Sequence, residues 1–91
     1  MYKNGLFKNC IITHHFRIRF FSRALFRELS DQYNSEYVDK MICEILDSKY
    51  NIKNVRKKIK KLINQENQRI AFDDDLFLVL NKGSLITIRP H

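Results

Sequence analysis

Tryptophan is absent from this sequence, and its 91 residues include one proline and two glycines. A chain so poor in flexible punctuation and 44% hydrophobic is globular, neither disordered nor collagen-like. Gly5 and Gly83 stand alone, so there is no glycine-rich phosphate loop. Long apolar runs are missing too. The longest, Leu76-Phe77-Leu78-Val79-Leu80, is far below the roughly 20 residues that span a bilayer, which excludes a transmembrane helix. No apolar stretch followed by small residues marks a secretory signal, and the phenylalanine-rich start is unlike a transit peptide, so a cytoplasmic protein is expected. Two cysteines, Cys10 and Cys43, make neither a disulfide scaffold nor a zinc ribbon and suit a reducing compartment.

What is present is charge, in blocks. The net charge is +7. Residues 1–27 hold six bases and no acid, 28–48 six acids and one base, and 49–61 seven bases and no acid. Four acids and Arg69 follow in 62–75, then Lys82 and Arg89. Two basic blocks with an acidic one between them can form one basic face if the acidic segment is turned elsewhere, and such a face suits a polyanion.

The length predicts one small domain, residues 1–91. Val38, Met41, Ile42, Ile45 and Leu46 recur at helical spacing and predict a helix over 35–48, capped by Asn34 or Ser35. Ile52, Val55, Ile59, Leu62 and Ile63 predict another over 52–67, with its bases outward. That apolar stripe is narrow and lacks Trp and Phe, which suits packing on a sheet better than lying on a membrane. Residues 16–20 alternate like a strand. Phe16, Phe20, Ala24 and Phe21, Leu25, Leu29 nevertheless make a broad helical stripe behind Thr13 as N-cap, so the helix is expected over 14–30, after a short strand within 6–12. On it His15, Arg19, Arg23 and Arg27 fall one turn apart.

Short runs at 69–72, 76–80 and 85–89, separated by Asp73-Asp74-Asp75 and Asn81-Lys82-Gly83, predict a three-stranded antiparallel meander. The fold expected is therefore α+β, with N-terminal helices packed on a C-terminal meander. Its middle strand, apolar at every position, is expected to be covered by helices on one face and by a partner or the N-terminal segment on the other. In the last strand Ile86 and Ile88 are expected on one face, and Thr87, Arg89 and His91 on the other.

His14, His15, Arg19 and Arg23 on a helix, with Thr87 and Arg89 on a strand, are the parts that metal-independent RNA cleavage needs. A base removes the 2′-hydroxyl proton, an acid protonates the leaving oxygen, and cations hold the phosphate. Imidazole changes charge near neutral pH, and a guanidinium grips phosphate with two parallel hydrogen bonds. Arg17, Arg27, Arg56, Lys57, Lys58, Lys60 and Lys61 would bind the flanking backbone. Tyr33, Tyr37 and Tyr50 are candidate stacking aromatics. The same bases also read as a solvated helix face. Cys10, His14, His15, Cys43 and His91 lack metal-ligand spacing, and the three consecutive aspartates suit a solvated turn, so neither metal nor cofactor is expected.

The run from Thr13 to Arg23 and the ending Asp75–Leu80 through Leu85–Pro90 resemble a family of small phage, plasmid and bacterial proteins with a His-apolar-x-x-Arg helix start and a C-terminal Ile-Thr strand. That family is similar in element order to the barnase, EndoU and RelE group of ribonucleases and toxins. The resemblance implies an RNA-binding, metal-independent endoribonuclease of the toxin type, with His15, Arg19, Arg23 and Thr87 at the matching positions. The chain departs from the pattern in its long basic helix and in lacking a histidine within the sheet. The rival expectation is a non-enzymatic phage or mobile-element protein that binds and inhibits a host protein or nucleoprotein complex. RNA is the expected partner, a host complex the alternative, and a homodimer through the sheet is also compatible.

Overall fold

The computed structural model describes residues 5–91, and Lys3 of the first basic block lies outside them. The elements run β1 (Ile11–Ile12), α1 (His14–Ala24), α2 (Ser35–Lys49), α3 (Lys53–Leu62), β2 (Gln68–Ala71), β3 (Leu76–Asn81) and β4 (Ser84–Pro90). The fold is α+β, three helices on a four-stranded mixed sheet of order β1-β4-β3-β2. The antiparallel meander is present as β2-β3-β4. To it β1 adds a parallel edge, with Ile11 opposite Ser84 and Ile12 opposite Leu85. The N-terminal strand is only these two residues. Before it the chain turns to bury Leu6 and Phe7, with the Cys10 N–H donating to the Phe7 carbonyl at 3.0 Å.

In α1, Thr13 caps the helix through its hydroxyl, which accepts from the Phe16 N–H at 3.1 Å. Phe16, Phe20 and Phe21 enter the core. The helix stops at Ala24, well short of residue 30. Phe26 takes the left-handed conformation at φ 55°, while the Leu25 N–H reaches back to Phe20 O and the Arg27 N–H to Phe21 O. These bonds close the helix where glycine is the usual signal. Arg27 therefore lies beyond the helix and does not continue the row of His15, Arg19 and Arg23.

The Asn34 side chain accepts from the Tyr37 N–H and starts α2, which buries Val38, Ile42, Cys43 and Leu46. In place of a helix reaching residue 67, α3 ends at Leu62. Just beyond it, the Ile63 and Gln65 carbonyls accept from the N–H groups of Gly83 (2.8 Å) and Lys82 (2.9 Å). The β3–β4 turn thus takes carbonyls that further helix would have bonded internally. That turn holds Lys82 at φ 48° and Gly83 at φ 83°, the two-residue hairpin that suits twisted strands.

Along β3 buried and half-buried residues alternate: Leu76, Leu78 and Leu80 face the helices, while Phe77 and Val79 face away. Within the described residues the helices cover one side of this all-apolar strand, and the N-terminal segment does not form the cover of the other. The pairing of β3 with β4 also slips. Val79 pairs with Thr87 but Leu80 with Leu85, so Ile86 is an extra, bulged residue. Leu85 and Ile88 are consequently the buried residues of β4, and Ile86 does not share a face with Ile88 in regular alternation. Among the described residues no helix is long and apolar enough to cross a membrane.

Candidate functional site

The two residues of β1 leave most of the outer edge of β4 without a strand, and side chains from α1 take over. The Thr13 hydroxyl donates to the carbonyls of Leu85 (2.9 Å) and Ile86 (3.1 Å), and Arg23 Nη1 donates to Ile88 O at 2.6 Å. Helix α1 is thereby fastened along β4, but Thr87 and Arg89 of that strand pair with Val79 and Phe77 on the side of the sheet away from the helices, so they are not gathered with the histidines of α1. Arg23, expected to bind phosphate, spends a donor on this edge. Among buried side-chain polar atoms, Thr87 Oγ1 has no hydrogen-bond partner.

At the start of α1 a second network forms. Arg17 grips Asp39 of α2 through Nε to Oδ1 at 2.6 Å and Nη2 to Oδ2 at 2.9 Å, and Nη1 donates to Tyr33 Oη at 3.0 Å. The hydrogen bond with Asp39 raises the Arg17 pKa above its already high ordinary value, against an opposing effect of burial. Tyr33 Oη also lies 2.6 Å from His14 Nδ1, and the two rings stack at 5.6 Å with 13° between their planes. Because arginine can only donate, the Tyr33 oxygen accepts from Arg17 and its own proton can go to Nδ1 of a neutral His14, leaving the ring proton on Nε2. Tyr33 thus orients an exposed imidazole, as a second group orients the base in acid–base sites.

His15, Arg19, Arg27 and Arg89 are exposed, and among the described residues their side chains form no hydrogen bond or ion pair. On α3, Arg56 pairs with Asp47 of α2, whereas Lys57, Lys58, Lys60 and Lys61 are exposed and unpaired among the described residues. The acidic helix is therefore not turned away from the basic blocks. It lies between them and takes one arginine from each, Arg17 through Asp39 and Arg56 through Asp47.

Comparison of the chain with protein-family models, curated proteins and solved structures finds no match. The functional reading of the site rests on its own residues.

In the sequence Tyr33 stands out only as a stacking aromatic, and Asp39 and Asp47 stand out only as members of the acidic block. A signal for both aspartates existed, since each directly follows a buried residue of the α2 stripe, Val38 or Leu46, and so sits at the border of the buried face. Nothing comparable marks Tyr33, which lies in the loop before the Asn34 cap. A cleft of about 510 Å³ runs beside this network between residues 8–12 and α2, lined by Lys8, Cys10, Ile12, Asn34, Asp39 and Cys43 among others. Burial pushes both thiols up to about 11, so neither is a ready nucleophile at neutral pH. Among the described residues no group of three histidine, cysteine or acidic side chains is placed to hold a metal ion.

Proposed function

We propose that this protein binds RNA and cleaves it without a metal ion, in the cytoplasm, in the manner of toxin-type ribonucleases. The observation that carries the reading is the division of labour on α1. Arg17 and Arg23 are bonded into the fold, while His15 and Arg19, one helical turn apart, are exposed and unpaired among the described residues.

In this reading His15 takes the 2′-hydroxyl proton as that oxygen attacks the adjacent phosphorus, and the 5′-oxygen leaves with the Nε2 proton of His14 in its imidazolium form, whose Nδ1–H donates to Tyr33 Oη. The products are a 2′,3′-cyclic phosphate and a free 5′-hydroxyl. Arg19 neutralises the phosphate as its charge develops and Arg23 adds its remaining donors, whereas Thr87 and Arg89 stand on the side of β4 away from the helices, with the Thr87 hydroxyl buried. The α3 lysines hold flanking phosphates, and RNA displaces their counterions. The resemblance to the small phage, plasmid and bacterial family implies places in the site for His15, Arg19, Arg23 and Thr87, and its likeness to the barnase, EndoU and RelE group is one of element order.

Incubation with total RNA in EDTA should yield discrete fragments. The double variant His15→Ala, Arg19→Ala should cut the rate by about 100-fold or more, the scale of general acid–base catalysis, with an unchanged circular dichroism spectrum. Full activity in that variant would remove the site assignment.

One observation favours a second reading, that of a phage or mobile-element protein which captures a host protein. Phe26 is 88% exposed on a left-handed backbone, an aromatic held out from the fold as interface anchors are. Phe26→Gly relieves the backbone strain and should leave cleavage intact. Loss of a co-purifying host protein in this variant, with no RNA cleavage by the parent chain, would favour the second reading.

A further inference from the structure

The side of the sheet away from the helices carries chemistry that the proposed site does not use. With Ile70, Leu78 and Ile88 buried against the helices, the register puts Arg69 and Ala71 of β2, Phe77 and Val79 of β3, and Thr87 and Arg89 of β4 on the opposite side. Phe77 lies near the middle of this face, directly across from Ala71 on one side and Arg89 on the other. The Arg69 guanidinium sits over its ring, 5.3 Å from the centroid, and the His91 ring lies 5.2 Å away, tilted by 44°. Three planar groups are therefore gathered on an open sheet, and two of them, Arg69 and His91, are exposed.

Isolated surface phenylalanines are common and need no explanation. This one is different in its company. Guanidinium planes and aromatic rings are the surfaces on which unpaired bases stack, and the cationic ones also attract the phosphates between those bases. The face is connected to the lysine-bearing helix as well. Lys58 of α3 and Arg69 and Ala71 of β2 line one groove of about 250 Å³, so cations run from α3 over the edge of β2 onto the sheet. The Asp73-Asp74-Asp75 turn bounds the face at its other end. The His91 N–H donates to Asp75 O at 2.9 Å, which fixes where the last ring lies, and the aspartates would repel a strand that continued past it.

We infer that the helix-free face of the sheet is a stacking platform for single-stranded RNA, with Arg69, Phe77 and His91 receiving bases and Lys58 and Arg89 holding the adjoining phosphates. The inference rests on the RNA-binding reading and adds to it a substrate class. An A-form duplex keeps its base faces stacked inside and cannot use these groups, whereas a single strand can splay its bases onto them. Cleavage through a 2′-hydroxyl requires the same freedom, because the attacking oxygen must swing into line with the leaving one.

The test measures binding of the intact protein by fluorescence anisotropy to three labelled probes: a single-stranded 12-mer RNA, its duplex, and an abasic single strand of equal length. The variants are Phe77→Leu, which keeps apolar bulk without the ring, and His91→Ala, at an exposed position that the core does not need. Each should weaken the single-stranded RNA by about tenfold, the scale of one base–aromatic stack, and leave the duplex and the abasic strand within about twofold. Equal weakening on all three probes, or none on the single strand, overturns the platform while leaving RNA binding standing. Failure of the parent protein to bind any probe removes the RNA reading and the platform together. If light scattering finds a dimer that Phe77→Leu converts to monomer with RNA affinity unchanged, the face is an interface between two copies and the inference is wrong.

Discussion

In α1, two of the three arginines are bonded into the fold, Arg17 to Asp39 and Tyr33, and Arg23 to Ile88 O. In α3, among the described residues, Arg56 alone makes an ion pair and the lysines stay in water. The two helices carry the two basic blocks, yet α1 also buries Phe16, Phe20 and Phe21, while α3 buries Ile59 alone. Arginine presents several donors in a fixed plane and can satisfy a carboxylate and a hydroxyl at once, whereas lysine is a compact, well-hydrated charge on a flexible stem. Net charge therefore says little about what a basic helix does. The first is a structural member with a few groups left over for chemistry, and the second is a charged surface resting on the core.

The largest test of that contrast is in the core. Phe20 is fully buried against Phe16 and Phe72, and Phe20→Ala should cost about 3–5 kcal/mol, much of the roughly 5–15 kcal/mol that holds a domain together. Ile59 borders the groove beside β2, where the surroundings can collapse, so Ile59→Ala should cost about 2 kcal/mol, at the low end for such truncations. Urea unfolding of both variants measures the difference, and equal losses would mean that α3 is as deeply built in as α1.

Next in size is the seam with α2. Asp39→Ala leaves the half-buried Arg17 without its carboxylate and should cost about 2 kcal/mol, between the values for exposed and buried pairs. A cost below about 0.5 kcal/mol would place Arg17 with the free cations.

Alkali probes the same seam. Cys10 and Cys43 titrate near 11 in the folded chain, above the 9.0 of a free thiol. The unfolded chain therefore loses these protons first, and stability that is intact below pH 9 should fall as pH rises from 9 to 11. Replacing both cysteines with alanine should flatten that part of the pH profile of the urea midpoint.

The smallest effect on stability belongs to α3. Changing Lys57, Lys58, Lys60 and Lys61 to glutamine should move stability by no more than about 0.5 kcal/mol. The same change should weaken RNA binding and lower the slope of log affinity against log salt by about 0.7 for each phosphate no longer neutralised. A large loss of stability instead would show that these lysines are tied into the fold as Arg17 is.

Helix α2 and the meander could be read from the chain because their signals are local. The Val38-to-Leu46 stripe with its Asn34 cap, and turn residues such as Asn81-Lys82-Gly83, act within a few positions. What was not legible depends on distant partners or on a residue type that gives no warning. Phe26 ends α1 in a conformation that glycine normally announces, and α3 stops where Gly83 and Lys82 claim the carbonyls beyond it. The bulge at Ile86 shifts one face of β4 without any glycine or proline to mark it. At the site, His14, His15 and Arg19 could be picked out as candidates, but Arg17 and Arg56 are separated from the free cations only by aspartates on another helix.

The pairing of β1 with β4 has a consequence for the order in which the molecule can be made. Thr13, which caps α1, bonds to Leu85 and Ile86 across more than seventy positions of sequence. On a ribosome α1 emerges long before the strand it docks on, with three phenylalanines that have nowhere to go. Long-range closure of this kind slows folding, and the waiting surface is one that chaperones recognise and aggregates recruit. A nascent chain arrested after α3 should therefore be open to protease within α1, and it should become resistant only when β4 has cleared the exit tunnel.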